Sequence, residues 1–145
     1  HGRVPFVKQL MDAVMKRAQD SGKIRTLLGR LCRFHLWEPN YFGIHKALPH
    51  EQAILEHGPG IRRAYTYKAL NKLIQGSAAD MTKKAMIQLY KAGIIPHIQV
   101  HDELDISVKD DKQAKQIVEI MESAVGLEVP NKVDYESGKN WGDIK

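Results

Sequence analysis

The sequence predicts an α+β fold, and three observations carry that expectation. Long segments with apolar residues at helical spacing (5–20, about 62–92 and 111–125) are interleaved with short segments of strand-forming residues near 23–36, 97–108 and 131–136. The short segments sit close enough to pair as hairpins, so the sheets should be antiparallel. The composition, 43% hydrophobic and 27% charged over 145 residues, is that of an ordinary globular chain with room for a sizeable core.

The same numbers narrow the function classes. No apolar run approaches the roughly 18 residues of a membrane span, and no signal peptide is visible, so no membrane partner is expected. Cys32 is the only cysteine, which rules out an internal disulfide and suits a reducing compartment. A formal charge of +5 leans toward a polyanionic partner. The chain opens "HGRVPF", without Met and almost directly with a helix, which suggests a piece of a larger protein.

In the first helix Pro5 suits the opening turn, and Val7, Leu10, Met11, Val14, Met15 and Ala18 fall on one face. Residues 23–36 read as a hairpin broken at Gly29-Arg30. Residues 38–61 are Pro-, Gly- and His-rich and weakly periodic, with one short helix in "PHEQAILEH". A long helix from about Arg62 to Ala92 follows, with Leu70, Ile74, Met81 and Ala85 expected toward the core, and "GIIP" stops it. "KDD" supplies an N-cap for a helix over about 111–125, with Ile117, Ile120, Met121 and Val125 facing inward. "NKVDYE" at 131–136 reads as a last strand.

One strand breaks its own pattern. In "IQVHDELDIS", Ile98, Val100, Leu104 and Ile106 occupy alternate positions, yet Asp102 stands where that stripe asks for hydrocarbon. A carboxylate buried in mid-strand without a partner is very costly. A tight hairpin turning at His101-Asp102 avoids the cost, because His and Asp tolerate left-handed backbone angles. Such a hairpin, packed near the long helix, would present Asp102 and Glu103 at its tip. The residues alone leave two meanings open, a polar turn or a site for a hard cation such as Mg²⁺, which takes one or two carboxylates and completes its shell with water and phosphates.

The long helix carries a second group. Lys68, Asn71 and Gln75 form a polar stripe at helical spacing, followed by Gly76, Ser77, Ala78 and Ala79, small enough to let another backbone approach closely. Uncharged amides are good donors to the minor-groove acceptors that all base pairs share, purine N3 and pyrimidine O2. The stripe equally fits a solvated helix face.

Together these segments resemble the C-terminal part of family A DNA polymerases. "QVHDEL" at 99–104 is similar to the family's motif C, and "LNKLIQGSAADMTKKAM" at 70–86 to its long palm helix. "TLLGR" at 26–30 resembles the signature at the end of the fingers, and "VDYESGKNWGDIK" the C-terminal tail with its Gly-x-x-Trp pattern. The matches are in order and span nearly the whole chain. The resemblance implies that residues 1–61 are the end of the fingers region, with a hairpin and an insertion-like loop at 39–60, and that 62–145 belong to the palm. It implies Asp102 as catalytic metal ligand with Glu103 as a secondary acid, His101 near the primer's 3′ end, and Asn71, Gln75 and Lys68 on DNA. Where the family often has Arg four residues before that Asn, this chain has Tyr67, followed by Lys68.

The implied partners are primer–template DNA, deoxynucleoside triphosphates and the remainder of a polymerase chain, in the cytoplasm of a bacterium or phage-infected cell. The implied cofactor is Mg²⁺, two ions in an intact enzyme and none held by this stretch alone. No counterpart of the motif A Asp, or of the fingers helix that grips the incoming nucleotide, is found in the sequence. Two other readings compete: a metal-dependent phosphohydrolase using His101, Asp102 and a ligand from 45–57, and a non-catalytic nucleic-acid-binding module. Asp102 on a helix would favour the hydrolase, Asp102 at a hairpin tip the polymerase, and Asp102 walled in by protein the binding module.

Overall fold

A computed structural model describes residues 6–144; Pro5 lies outside them. The architecture is mixed, with helices and small antiparallel sheets, as expected for α+β. The chain forms two compact units, residues 1–77 and 78–145.

The first unit begins with helix α1 (Phe6–Ser21). Strands β1 (Lys23–Arg25) and β2 (Leu31–Arg33) follow as an antiparallel hairpin, pairing Lys23 with Arg33 and Arg25 with Leu31. The amphipathic patterns of these elements meet in one core, where Ala18, Ile24, Phe34 and Ala69 are buried and Val14, Cys32 and Leu73 pack against them. The apolar face expected on α1 is covered only in its second half. Val7, Leu10 and Met11 stay exposed because the core reaches no further than Val14 among the described residues.

The segment after Phe34 holds more structure than its composition suggests. Strand β3 (Leu36–Pro39) runs between β4 (Leu48–Pro49) and β5 (Ile61–Arg63), all antiparallel, with helix α2 (His50–His57) as expected. Strands this short, two of them ending in Pro, leave no alternation to detect. Pro39 is tolerated in the central strand because it is its last residue; the next amide, Asn40, resumes pairing with the Gly60 carbonyl at 2.8 Å. The cross-strand pair Glu38–Arg62 adds an ion pair at 2.9 Å. Arg63 ties the unit together: its guanidinium donates to the Gln19 and Phe34 carbonyls at 3.1 and 2.9 Å and lies 4.6 Å from the Trp37 ring centroid.

The long helix starts later than its periodicity predicts. Residues 61–63 are strand, Tyr65 takes a left-handed conformation (φ 62°), and a 3₁₀ turn over Thr66–Lys68 leads into α3 (Ala69–Lys91). Leu70 and Met81 are half-buried and Ala85 buried, but Ile74 is 57% exposed; the residues that enter the cores are Ala69, Leu73 and Leu89. The helix ends in a Schellman motif. Gly93 (φ 78°) donates to the Tyr90 carbonyl and Ile94 to that of Leu89, at 3.0 and 2.9 Å, and the buried Ile94 side chain packs on Leu89.

In the second unit β6 (Ile98–Val100) and β7 (Glu103–Asp105) form an antiparallel pair, and helix α4 (Asp111–Ser123) follows. Asp110 caps α4 by accepting from the Gln113 amide at 2.7 Å, and the Gln113 side chain accepts in return from the Lys109 amide at 2.8 Å. Leu89, Ile94 and Ile117 make this unit's core, with Leu104, Ile106, Ile120 and Met121 packed around it. Val125, expected on the inner face, is half-buried beyond the helix end. The last strand expected at 131–136 does not form: that stretch finds no ladder partner and is held instead by the Val133 amide donating to Glu122 Oε1 at 2.9 Å.

Leu89 is fully buried at the centre of the second core, so Leu89→Ala should leave a cavity and lower unfolding free energy by about 2–5 kcal/mol in urea denaturation. A loss below about 1 kcal/mol would mean that this core is not packed as described.

Candidate nucleic-acid and metal site

The carboxylate in the strand sits in a turn. Val100 pairs with Glu103, so His101 and Asp102 are the two loop residues of the β6–β7 hairpin. His101 has φ 52°, and with Tyr65 it is one of the two non-glycine residues with positive φ among those described. The first loop position of a two-residue hairpin calls for such an angle, usually met by Gly, and a His held there carries strain of about 1–3 kcal/mol. Gln99 braces the turn, its side-chain amide donating to the His101 carbonyl at 2.7 Å.

The two-residue loop also corrects the expected face pattern. Ile98 pairs with Asp105 and Gln99 with Leu104, so every even-numbered residue of the hairpin stands opposite an odd-numbered one. The stripe Ile98, Val100, Leu104, Ile106 is thereby split between two faces. Leu104 and Ile106 reach the core, whereas Ile98 and Val100, each 39% exposed, share the outer face with Glu103 and Asp105. Asp102 and Glu103 are exposed.

In the first unit the polar stripe has the exposure expected of it. Asn71 and Gln75 lie exposed on α3, two turns of one face. Lys68 precedes the helix, in the 3₁₀ turn, where its Nζ lies 5.3 and 5.6 Å from the ring centroids of Tyr65 and Tyr67. Tyr67 is 64% exposed one turn before Asn71, a neighbour to the stripe that the amide pattern alone did not single out.

The small residues after Gln75 have a defined use. The turn at Thr26–Arg30 docks on them: Arg30 Nη2 donates to the Gly76 carbonyl at 2.9 Å and the Leu27 amide to Ser77 Oγ at 3.0 Å. A Cβ on Gly76 would meet Thr26 Cγ2 at 2.9 Å, so glycine is required by close approach. The "TLLGR" and "QGSA" segments are thus two halves of one contact.

The chain matches the model of DNA polymerase family A over residues 1–143. It belongs to that family. It is 41% identical over 140 residues to a DNA-directed DNA polymerase of Pseudomonas phage M6, covering 97% of this chain and 18% of the relative. It is 36% identical over 152 residues to DNA polymerase I of Geobacillus stearothermophilus, covering 97% of this chain and 15% of the relative. Among solved structures it is similar to the POL domain of Pol1 from M. smegmatis, determined in complex with DNA primer-template and dNTP, with a TM-score of 0.68 and 30% identity over 96% of this chain and 23% of that one. The chain therefore spans less than a fifth of the length of these curated relatives.

Family A polymerases depend on divalent metal ions. The exposed carboxylates of Asp102 and Glu103 are hard oxygen donors of the kind Mg²⁺ selects, so the residues present fit part of such a shell. Among the described residues no group of three or more His, Cys, Asp or Glu converges on a possible metal position. His45 and His57 pack near each other and on Tyr41, with ring centroids 6.2 Å apart and Tyr41 Oη 3.4 Å from His57 Nδ1, whereas His50 lies edge-on to Trp37 at 4.8 Å. The phosphohydrolase reading expected Asp102 on a helix, and the hairpin corrects it.

Gly76→Val should displace the Thr26–Arg30 turn. Hydrogen exchange at the Leu27 amide is expected to speed up roughly tenfold or more, the scale of an overpacked contact, while exchange at the Gln113 amide, in the other unit, stays unchanged. Unaltered exchange at Leu27 would show that the docking is not maintained in solution.

Proposed function

We propose that this chain is the C-terminal, palm-bearing part of a DNA-directed DNA polymerase and contributes to template-directed nucleotidyl transfer. The observation that carries the reading is the placement of Asp102 on a two-residue hairpin loop, within a chain that matches the family A model over nearly its whole length. Residues 1–61 serve as the end of the fingers region, with 39–60, which carries β4 and α2, as an insertion, and 62–145 as palm.

The reaction is attack of a primer 3′-hydroxyl on the α-phosphorus of a deoxynucleoside triphosphate, with pyrophosphate leaving. Divalent ions, when bound, lower the cost of deprotonating the attacking hydroxyl and neutralise charge on the leaving group. Asp102 is the residue that holds such an ion, with Glu103 as an auxiliary acid. Two neighbouring carboxylates supply too few donors to enclose two ions unaided. A second set of ligands, and a clamp for the triphosphate, must come from the rest of the polymerase chain. His101, at the turn, lies toward the primer's 3′ end.

Asn71 and Gln75 donate to purine N3 and pyrimidine O2 in the minor groove of newly formed pairs, and so test pair geometry without reading sequence. Lys68 makes a phosphate contact. The partners are primer–template DNA and deoxynucleoside triphosphates, and the setting is the cytoplasm of a bacterium or a phage-infected cell, in keeping with the bacterial and phage relatives.

Three outcomes test this. In the intact polymerase, Asp102→Asn should cut primer extension by orders of magnitude and leave duplex binding nearly unchanged; equal loss of both would remove Asp102 from catalysis. Gln75→Ala and Asn71→Ala should impair extension more than they change the salt dependence of binding, since they touch base edges and not phosphates. The 145-residue chain alone should show no primer extension with any nucleotide mixture and Mg²⁺; measurable templated synthesis would mean the catalytic centre has been misassigned.

A further inference from the structure

Helix α1 ends in a carbonyl that needs a distant partner. The last carbonyls of an α-helix have no amide four residues on within the helix. For Gln19 that amide would be Lys23, which is already in strand β1 and lies 3.4 Å from Ser21 Oγ. Arg63 supplies the donor from β5: its Nε donates to the Gln19 carbonyl at 3.1 Å and its Nη1 to the Phe34 carbonyl at 2.9 Å. A cation placed there also meets the negative end of the helix dipole. The guanidinium has a shaped seat. It lies 4.6 Å from the Trp37 ring centroid and against Gly22, where a Cβ would stand 2.6 Å from Arg63 Cζ. A planar fork spanning two carbonyls is a task for Arg and not for Lys.

The same residue of α1 holds the far end of the turn that follows Arg63. Gln19 Nε2 donates to Thr66 Oγ1 at 3.3 Å, and Thr66 is buried. Residues 63 and 66 are thus both fastened on Gln19, one through its carbonyl and the other through its side chain. Between them Tyr65 takes a left-handed angle (φ 62°), which persists only where the surroundings impose it. Thr66–Lys68 form the 3₁₀ turn and α3 starts at Ala69, so the fastened turn sets the direction and rotational phase in which α3 begins. Asn71 lies in the first turn of α3 and Gln75 in the next. Successive helical residues are rotated by about 100°, so a slip of a fraction of a residue at the start re-aims both amides. We infer that Arg63 is a positioning residue for nucleotidyl transfer: seated on the end of α1, it fixes the Tyr65 turn and through it the aim of Asn71 and Gln75. This rests on the proposed role of those two amides, through which Arg63 acts.

The test is single-nucleotide extension of a labelled primer–template by the intact polymerase, read as the maximal rate and the half-saturating nucleotide concentration. Arg63→Ala should lower the maximal rate for the correct nucleotide by about 10- to 100-fold, the scale of a misaimed group. The half-saturating concentration should stay nearly unchanged, and the rate for a mismatched nucleotide should fall less, so that discrimination narrows. Arg63→Lys, which can reach one carbonyl but not both, should lie between wild type and Arg63→Ala. The deciding measurement is the same change in an Asn71→Ala/Gln75→Ala background. There it should add almost nothing, because residues that act as a unit are not additive. Gln19→Ala, which releases Thr66 but keeps the carbonyl under Arg63, should show the same non-additivity, and it decides the matter if Arg63→Ala fails to fold. Full multiplication of the losses in the combined variants, or a wild-type rate in Arg63→Ala, would overturn the inference. If Asn71→Ala and Gln75→Ala leave extension intact, the proposed role of the amides fails; if they impair it while Arg63→Ala does not, this inference alone fails.

Discussion

The reading of this protein depends on a two-residue loop. Because Val100 pairs with Glu103, only His101 and Asp102 separate the strands, and the chain must reverse within them. That reversal lifts Asp102 out of a stripe of apolar residues that would otherwise bury it. It also sends Leu104 and Ile106 to the core and Ile98 and Val100 to the opposite face. The backbone angle at His101 is the cost, and the Gln99 side chain holding the His101 carbonyl helps to maintain it. A carboxylate becomes available for chemistry here through parity and turn geometry.

The first unit presents its candidate groups by other means. Asn71 and Gln75 are exposed on a helix whose next residues, Gly76 and Ser77, serve as a docking place for the Thr26–Arg30 turn. The short β1–β2 hairpin is thereby fixed along α3 although its strands have only three residues each. A pair of strands that short is marginal by itself, and packing against a helix is what makes it persistent. The second non-glycine residue with positive φ, Tyr65, stands just before the turn that carries Lys68. Lys68 and Asp102 thus each lie near a locally strained position, and strain is retained where the surroundings over-determine it.

The sequence was legible wherever one periodicity ran unbroken. α1, the body of α3 and α4 follow from their apolar spacing, the Asp110 cap from "KDD", and the 101–102 turn from the conflict between a hydrophobic phase and an acid. It was not legible where elements were too short to establish a phase. β3, β4 and β5 have four, two and three residues, and their pairing depends on contacts distant in sequence. The start of α3 departs from the periodicity because Arg62 and Arg63 fit a helical pattern, while their strand pairing with Glu38 and Trp37 decides their conformation. The expected strand at 131–136 had the right residues but no ladder partner. For the site, the acids and amides were visible as residue types out of place.

The central claim, that the hairpin tip holds the catalytic metal, is tested most directly by the intact polymerase crystallised with primer–template, an incoming nucleotide and Mn²⁺, whose anomalous scattering locates the ion without reference to activity. The account predicts Mn²⁺ in direct contact with a carboxylate oxygen of Asp102, with the His101–Asp102 turn retained. Mn²⁺ bound at the triphosphate with Asp102 outside its coordination shell would contradict it.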